Sequence, residues 1–284
     1  MDFIVFLIQS PDQTGLVSGI SSFFYERNFN IVDCQQFVDV YSKKFFMRLK
    51  LDLSGLKTSR KQLESEFQDF SAPKQLNWSV HYTDQLQKMA ILVTTAPHCL
   101  YDLLVRHEQK ELLCEIPVII SNRPNLESIA EKFRIPFYCL PISNKADKPR
   151  QEKLVQSLLK QHHIDLVVLA RYMQILSTEF TEGYFGKIIN IHHAFLPAFQ
   201  GANPYRRAYE RGVKMIGATA HYATPDLDEG PIIEQNVERV THEHYPQELT
   251  QIGADVERVV LATAVKAHLE RRIIITGNKT LVFS

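Results

Sequence analysis

An α/β chain of two unequal units is predicted by three features of the sequence. The first third alternates apolar runs with amphipathic stretches in the order βαββαβ. From about residue 86 the pattern restarts as runs rich in Val, Ile and Leu, separated by helical segments. The length, 284 residues, suffices for two hydrophobic cores. The first order fits a ferredoxin-like sheet with two helices on one face. The second fits a Rossmann-like, doubly wound and mostly parallel sheet with added strands. The expected domains are 1–84 and 85–284.

Each element has its own signal. "FIVFLIQ", Phe3 to Gln9, reads as a strand, and "PDQTGL" as the turn after it. In "LVSGISSFFYERN" the residues Leu16, Ile20, Phe23 and Phe24 share a helical face. "NIVDCQQFVDV" is a second strand. Lys43 to Leu53 alternates clearly, with Phe45, Met47, Leu49 and Leu51 on one side and Phe46, Arg48, Lys50 and Asp52 on the other. "SRKQLESEFQDF" is an amphipathic helix and "QLNWSVHYTD" the fourth strand. In the second unit "KMAILVTT", "EIPVIIS", "PFYCLP", "IDLVVLA" and "GKIINIH" are buried-strand runs. "NLESIAEKF" and "RQEKLVQSLLKQHH" are helical. "VKMIGATAHYAT" and "PIIEQNVERV" follow as strands, then a long helix, "ELTQIGADVERVVLATAVKAHLERR". The tail "IIITGNKTLVFS" reads as a hairpin turning at Gly277-Asn278.

Composition narrows the function. With 32 basic and 32 acidic residues the formal net charge is zero, so no basic excess favours nucleic acid or an anionic membrane. Cys34, Cys99, Cys114 and Cys139 form no C-x-x-C pair, which points to reduced thiols. The apolar start "MDFIVFLIQSPDQ" carries an early Asp, lacks a basic segment and meets Pro11, so it reads as a strand rather than a signal peptide. No apolar run approaches the ~20 residues of a membrane span. A soluble, cytoplasmic protein is expected.

The chemistry is expected where parallel strands end. "IINIHHAFLPAFQGANPY" runs from Ile188 to Tyr205 and turns polar at Asn190. The Asn190 amide either donates to a developing oxyanion or closes a turn. In an extended segment Asn190 and His192 share a face and His193 points away, which makes His192 the catalytic candidate. "DLDEGPII" supplies carboxylates at Asp226, Asp228 and Glu229 that can orient an imidazole or a water. His221, in "TAHY", is either a partner of that acid or a strand-end histidine. No His, Cys and Glu spacing suggests a metal. An Asn, a His and an Asp without a nucleophilic Ser or Cys in phase suggest direct transfer of a small carbonyl group.

These motifs carry a family likeness. "NIHHAFLPAFQGANPY" followed by "DLDEGPII" resembles the signature of the 10-formyltetrahydrofolate-dependent formyltransferase fold. Position by position, the resemblance implies a catalytic trio of Asn190, His192 and Asp228. It further implies a folate-binding segment in "LARYMQILS" with Met173, Gln174 and Leu176, and a supporting place in the substrate site for His193 and His221. "SPDQTGLVSGISSFFYERNFNIVD" is similar to an ACT domain, and that domain before a formyltransferase fold is the arrangement of the formyltetrahydrofolate deformylase family. The likeness implies hydrolysis of 10-formyltetrahydrofolate to tetrahydrofolate and formate, serving purine biosynthesis and the one-carbon folate pool, with the folate as substrate and no cofactor. It also implies a homo-oligomer, dimer or tetramer, and an amino-acid effector site at Asp12, Gln13, Thr14, Gly15 and Leu16. The alternatives are transfer of the formyl group to a small amine and a folate-sensing regulator. Against a phosphorylated acceptor stands "ILVTTAPHCLYDLL", which has Pro97 and no glycine where a phosphate-cradling turn would need one.

Overall fold

The computed structural model describes residues 2–197 and 204–284, so positions 198–203 of the Ile188–Tyr205 motif lie outside the described residues. The chain forms two compact units, Met1–Leu86 with Phe283–Ser284, and Gln87–Val282.

In the first unit β1 (Phe3–Pro11), α1 (Leu16–Tyr25), β2 (Ile31–Asp39), β3 (Lys44–Asp52), α2 (Arg60–Ser71) and β4 (Asn77–Tyr82) follow the expected order. The strands pair antiparallel as β2-β3-β1-β4. The helices bury Phe23, Phe24, Leu63 and Phe67 against Ile4, Phe6 and Ile8 of β1 and the inward residues of β3. Phe45, Met47, Leu49 and Leu51 form that inward set, as the alternation predicts. The opposite face is less wet than alternation implies, since Phe46 and Arg48 are also buried. Arg48 keeps its charge by pairing with Asp33 at 2.7 Å. Trp78 of β4 lies edge-on to Phe67, centroids 5.0 Å apart, and its indole N–H donates to Ser71 Oγ at 3.0 Å.

The second unit opens with β5 (Gln87–Val93), α3 (His98–Glu108), β6 (Cys114–Ser121), α4 (Glu127–Lys132), β7 (Phe137–Cys139), α5 (Lys148–Gln161), β8 (Leu166–Leu169), α6 (Thr178–Gly183) and β9 (Ile188–His192). It continues through α7 (Pro204–Arg211), β10 (Met215–Tyr222), β11 (Ile232–Arg239), α8 (Pro246–Leu269), β12 (Ile273–Thr276) and β13 (Lys279–Val282). Of these, α3, α6 and α7 add to the helices that periodicity reveals. The large sheet runs β11-β10-β9-β8-β5-β6-β7, parallel from β9 to β7, with β10 and β11 antiparallel. Both faces are covered: Met89, Ile91 and Val93 pack with α3 and α8, while Ala90 and Leu92 pack with α5. That explains continuous apolar runs where a half-exposed strand would alternate. β12 and β13 form the expected hairpin around Gly277, which has φ +60°.

Topology fixes where a ligand can sit. The chain winds outward from β5 to β7, then crosses back to β8 on the other side of β5. The winding reverses between β5 and β8, and crevices form at the carboxyl ends of strands at such a reversal.

Candidate active site

Three adjacent strand ends and one loop build the site. β9 ends in Asn190-Ile191-His192. β10 lies antiparallel beside it with His221 opposite Asn190. The register of β10 against β11 slips between Ala220 and His221, and a bulge of this kind re-aims a side chain. The amide and the imidazole meet, with Asn190 Nδ2 3.2 Å from His221 Nε2. On the other side of the ring His221 Nδ1 lies 3.0 Å from the Tyr222 carbonyl oxygen. That oxygen only accepts, so Nδ1 carries a proton, and Nε2 faces both the Asn190 amide and the Asp228 carboxylate.

The loop between β10 and β11 returns Asp228 to this pair. Its carboxylate lies 3.2 Å from His192 Nδ1 and 3.6 Å from His221 Nε2. Asp228 has φ +59°, a left-handed conformation that Asp tolerates better than most residues. Two residues on, Gly230 lets the loop close, because a Cβ there would stand 1.8 Å from the Tyr222 carbonyl oxygen. Burial would raise the Asp228 carboxyl, but the hydrogen bonds and charge of His192 and His221 outweigh it and hold the group well below the usual carboxylate range. His192 is 6% exposed, and its Nε2 has no hydrogen-bond partner among the described residues.

His193 departs from the expected phase. The strand ends at His192, so the two-residue alternation no longer governs the next side chain. The His193 ring lies against that of His192, centroids 4.8 Å apart at 21°, and lines the same cavity. Its Nδ1 accepts from Arg171 Nη1 at 2.7 Å.

That cavity measures about 670 Å³ and joins Asn190, His192, His193, His221 and Asp228 to Tyr172, Met173, Gln174, Ile175, Leu176 and Leu227. The volume suits a drug-sized organic ligand. Its apolar wall is the segment after β8, fixed by the Met173 N–H donating to Thr94 Oγ1 at 2.9 Å and by Gln151 donating to the Tyr172 hydroxyl at 2.8 Å. Met173 and Ile175 stand 57% and 58% exposed on this wall.

A second cluster adjoins this wall, and sequence reasoning missed it. Glu257 of α8 is 1% exposed and is met by His98 Nε2 at 2.8 Å, Tyr205 Oη at 2.6 Å and Arg171 Nε at 3.4 Å. Burial opposes its charge, yet these partners hold its carboxyl below the usual range. Only a Glu among the apolar positions of α8 hinted at it. His98, Cys99 and Glu257 bring ligand-type atoms within 4.8 Å of one another. The chemistry is unlike a metal centre: burial pushes the Cys99 thiol well up, and the carboxylate is already taken by Arg171 and Tyr205.

In the first unit Asp12, Gln13, Gly15 and Leu16 line a cavity of about 420 Å³ with Gln36, Val38 and Phe45, and Thr14 is not in its lining. No described helix is long and apolar enough to cross a membrane.

A mostly parallel sheet that brings an amide, two imidazoles and a carboxylate onto one cavity defines the class of an α/β protein with an acid–base site at its strand ends. The formyl transferase family matches residues 87–265. A formyltetrahydrofolate deformylase of Synechocystis sp. is 51% identical over 98% of this chain and 97% of its own. The enzyme of that name from Bacillus subtilis is 45% identical over 98% and 93%. A solved formyltetrahydrofolate deformylase from Pseudomonas syringae pv. tomato superposes with a TM-score of 0.97 at 39% identity, covering 100% of this chain and 95% of that one. The chain belongs to the formyltetrahydrofolate deformylase family.

Proposed function

We propose that the chain hydrolyses 10-formyltetrahydrofolate to tetrahydrofolate and formate, with Asn190, His192 and Asp228 as the catalytic residues. The observation that carries this is the convergence of these three, with His221, on one cavity with an apolar wall. Backbone groups and side chains of Met173, Gln174 and Leu176 take the ring of the folate. Water adds to the formyl carbon and turns its carbonyl into a tetrahedral oxyanion. The Asn190 amide, set against His221, donates an N–H to the oxyanion. A carboxylate held as low as that of Asp228 is a weak base. Its part is to orient the water and carry charge. His192, with Nδ1–H on Asp228, takes the water's proton at its open Nε2, then donates that N–H to the oxyanion and passes the proton to N10 as the C–N bond breaks. Formic acid gives its remaining proton to solvent and leaves as formate. Supply of formate for purine biosynthesis and balance of the folate pool belong to the same proposal.

Water as the acceptor is favoured at the start of α3. A helix N-terminus attracts phosphate, but here the first helical residue, His98, is turned onto the buried Glu257 carboxylate. His98 and Arg171 are both engaged by that carboxylate, and the turn before α3 has no glycine to bare backbone N–H groups for a phosphorylated amine. Purified protein is expected to release formate from 10-formyltetrahydrofolate without an added amine. Formyl transfer to an amine with no formate release overturns the assignment.

The cavity of the first unit is proposed to take a small amino-acid effector, tested by titrating candidate amino acids against formate release. Self-association into a dimer or tetramer is supported by edge strand β2, which exposes Val32 and Phe37. Light scattering tests it.

A further inference from the structure

We propose that Glu257 is a positioning residue for this site: through Arg171 and His193 it holds the His192 ring in the plane in which Nδ1 meets Asp228 and Nε2 faces the cavity. The proposal rests on the hydrolysis assigned above and adds a group that never touches the substrate.

Two arms run from Glu257 to the histidines. In one, the carboxylate pairs with Arg171 Nε at 3.4 Å, and Arg171 Nη1 donates to His193 Nδ1 at 2.7 Å. In the other, Tyr205 donates to Glu257 Oε1 at 2.6 Å, and its ring lies 6.5 Å from that of His193. Arg171 thereby sets the direction of His193, and Tyr205 flanks its ring. His193 rests on His192 at 21° and 4.8 Å, so it fixes the plane of the His192 ring, and within that plane the Asp228 carboxylate selects the Nδ1 edge. A His192 ring tilted out of that plane would lose the line from Nδ1 to Asp228.

The local backbone fits this arrangement. Arg171 adopts φ +62°, which turns the chain just after β8. Gly253 sits one helical turn before Glu257, where a Cβ would fall 2.1 Å from Tyr205 Oη. The glycine opens the notch through which Tyr205 reaches the carboxylate. Apolar residues would serve the packing between α8 and α3 at least as well as a buried charge, and the neighbours Val256, Val260 and Leu261 do so. The charge and its notch are therefore accounted for by the site rather than by the core.

The test is a double-mutant cycle on the full chain with Glu257→Gln, His193→Gln and the pair. Gln keeps the size and an acceptor for Tyr205 but loses the charge that holds Arg171. Each single variant is expected to lower kcat about tenfold or more while KM stays nearly constant, because a small misplacement at a reacting group costs rate before affinity. The pair should be no slower than the slower single variant, since both changes break one brace. A Glu257→Gln variant with unchanged kcat, an effect confined to KM, or multiplying effects in the pair would each overturn the proposal. Should Glu257→Gln misfold, Tyr205→Phe removes one arm only. It is expected to lower kcat in the wild-type background and to add nothing in the His193→Gln background; an additive loss refutes the brace. The ¹⁵N resonances of the His192 ring read the brace without turnover. Glu257→Gln should shift or broaden them, and unchanged resonances would count against it. Absence of formate release by the wild-type chain would instead remove the hydrolysis, leaving this spectrum to judge the brace.

Discussion

Asn190 concentrates three demands on one side chain. Its amide faces His221, stands two residues before the end of a buried strand and lines the cavity. Asn190→Ala is expected to lower kcat by ~10²–10³ with normal folding, the usual loss for one oxyanion donor. Asp228→Asn keeps the shape but loses the charge facing both imidazoles, and it should abolish most turnover. Formate release with circular dichroism checks both, and near-wild-type turnover in either would remove that residue from the mechanism. Asp228 also carries a pH prediction. Its carboxyl is depressed in the folded chain, so its stabilising effect is complete above the unfolded value of about 3.9 and is lost as pH falls through the folded value. Melting temperatures of the wild type and Asp228→Asn should differ most near neutrality and converge below about pH 4. That Asn190 and His192 face one cavity was readable because a strand period of two is local, whereas Asp228 was singled out from Asp226 and Glu229 only by the family resemblance. The bond between Asn190 and His221 was not readable, since antiparallel register joins residues 31 apart in sequence.

At the scale of elements, strands position the donors and one tight loop delivers the acid. The loop can close only because Gly230 has no side chain against the Tyr222 carbonyl. Gly230→Ala is expected to push the loop outward and carry Asp228 away from His192. Activity should fall by about two orders of magnitude, as for misplacement of a reacting group, while the sheet survives; unchanged turnover would show that the loop tolerates a methyl group there. Strand identities were legible from runs such as Ile164 to Ala170, but α3 hid its role. His98 and Cys99 look like turn residues beside Pro97, and only the packing of α8 on α3 gives His98 its partner Glu257. His193 illustrates the reverse failure, in which a sound periodic rule was carried one residue past the end of its strand.

For the molecule as a whole, each unit has its own core. The aromatic cluster of Phe6, Phe23, Phe24 and Phe67 belongs to the first unit, and every residue lining the 670 Å³ cavity belongs to the second. Phe67→Ala should therefore destabilise the first unit by about 3–5 kcal/mol and leave the turnover of the folded enzyme near normal. Denaturant melts and formate release measure the two effects, and a loss of turnover matching the loss of stability would mean that the second unit depends on the first. The composition holds a single tryptophan, Trp78, packed edge-on to Phe67. Its fluorescence is thus an intrinsic probe of the first unit, and indole emission should follow that unit's melting and stay silent while the catalytic sheet loosens. Comparing emission with ellipticity during one urea titration separates the two transitions without any label.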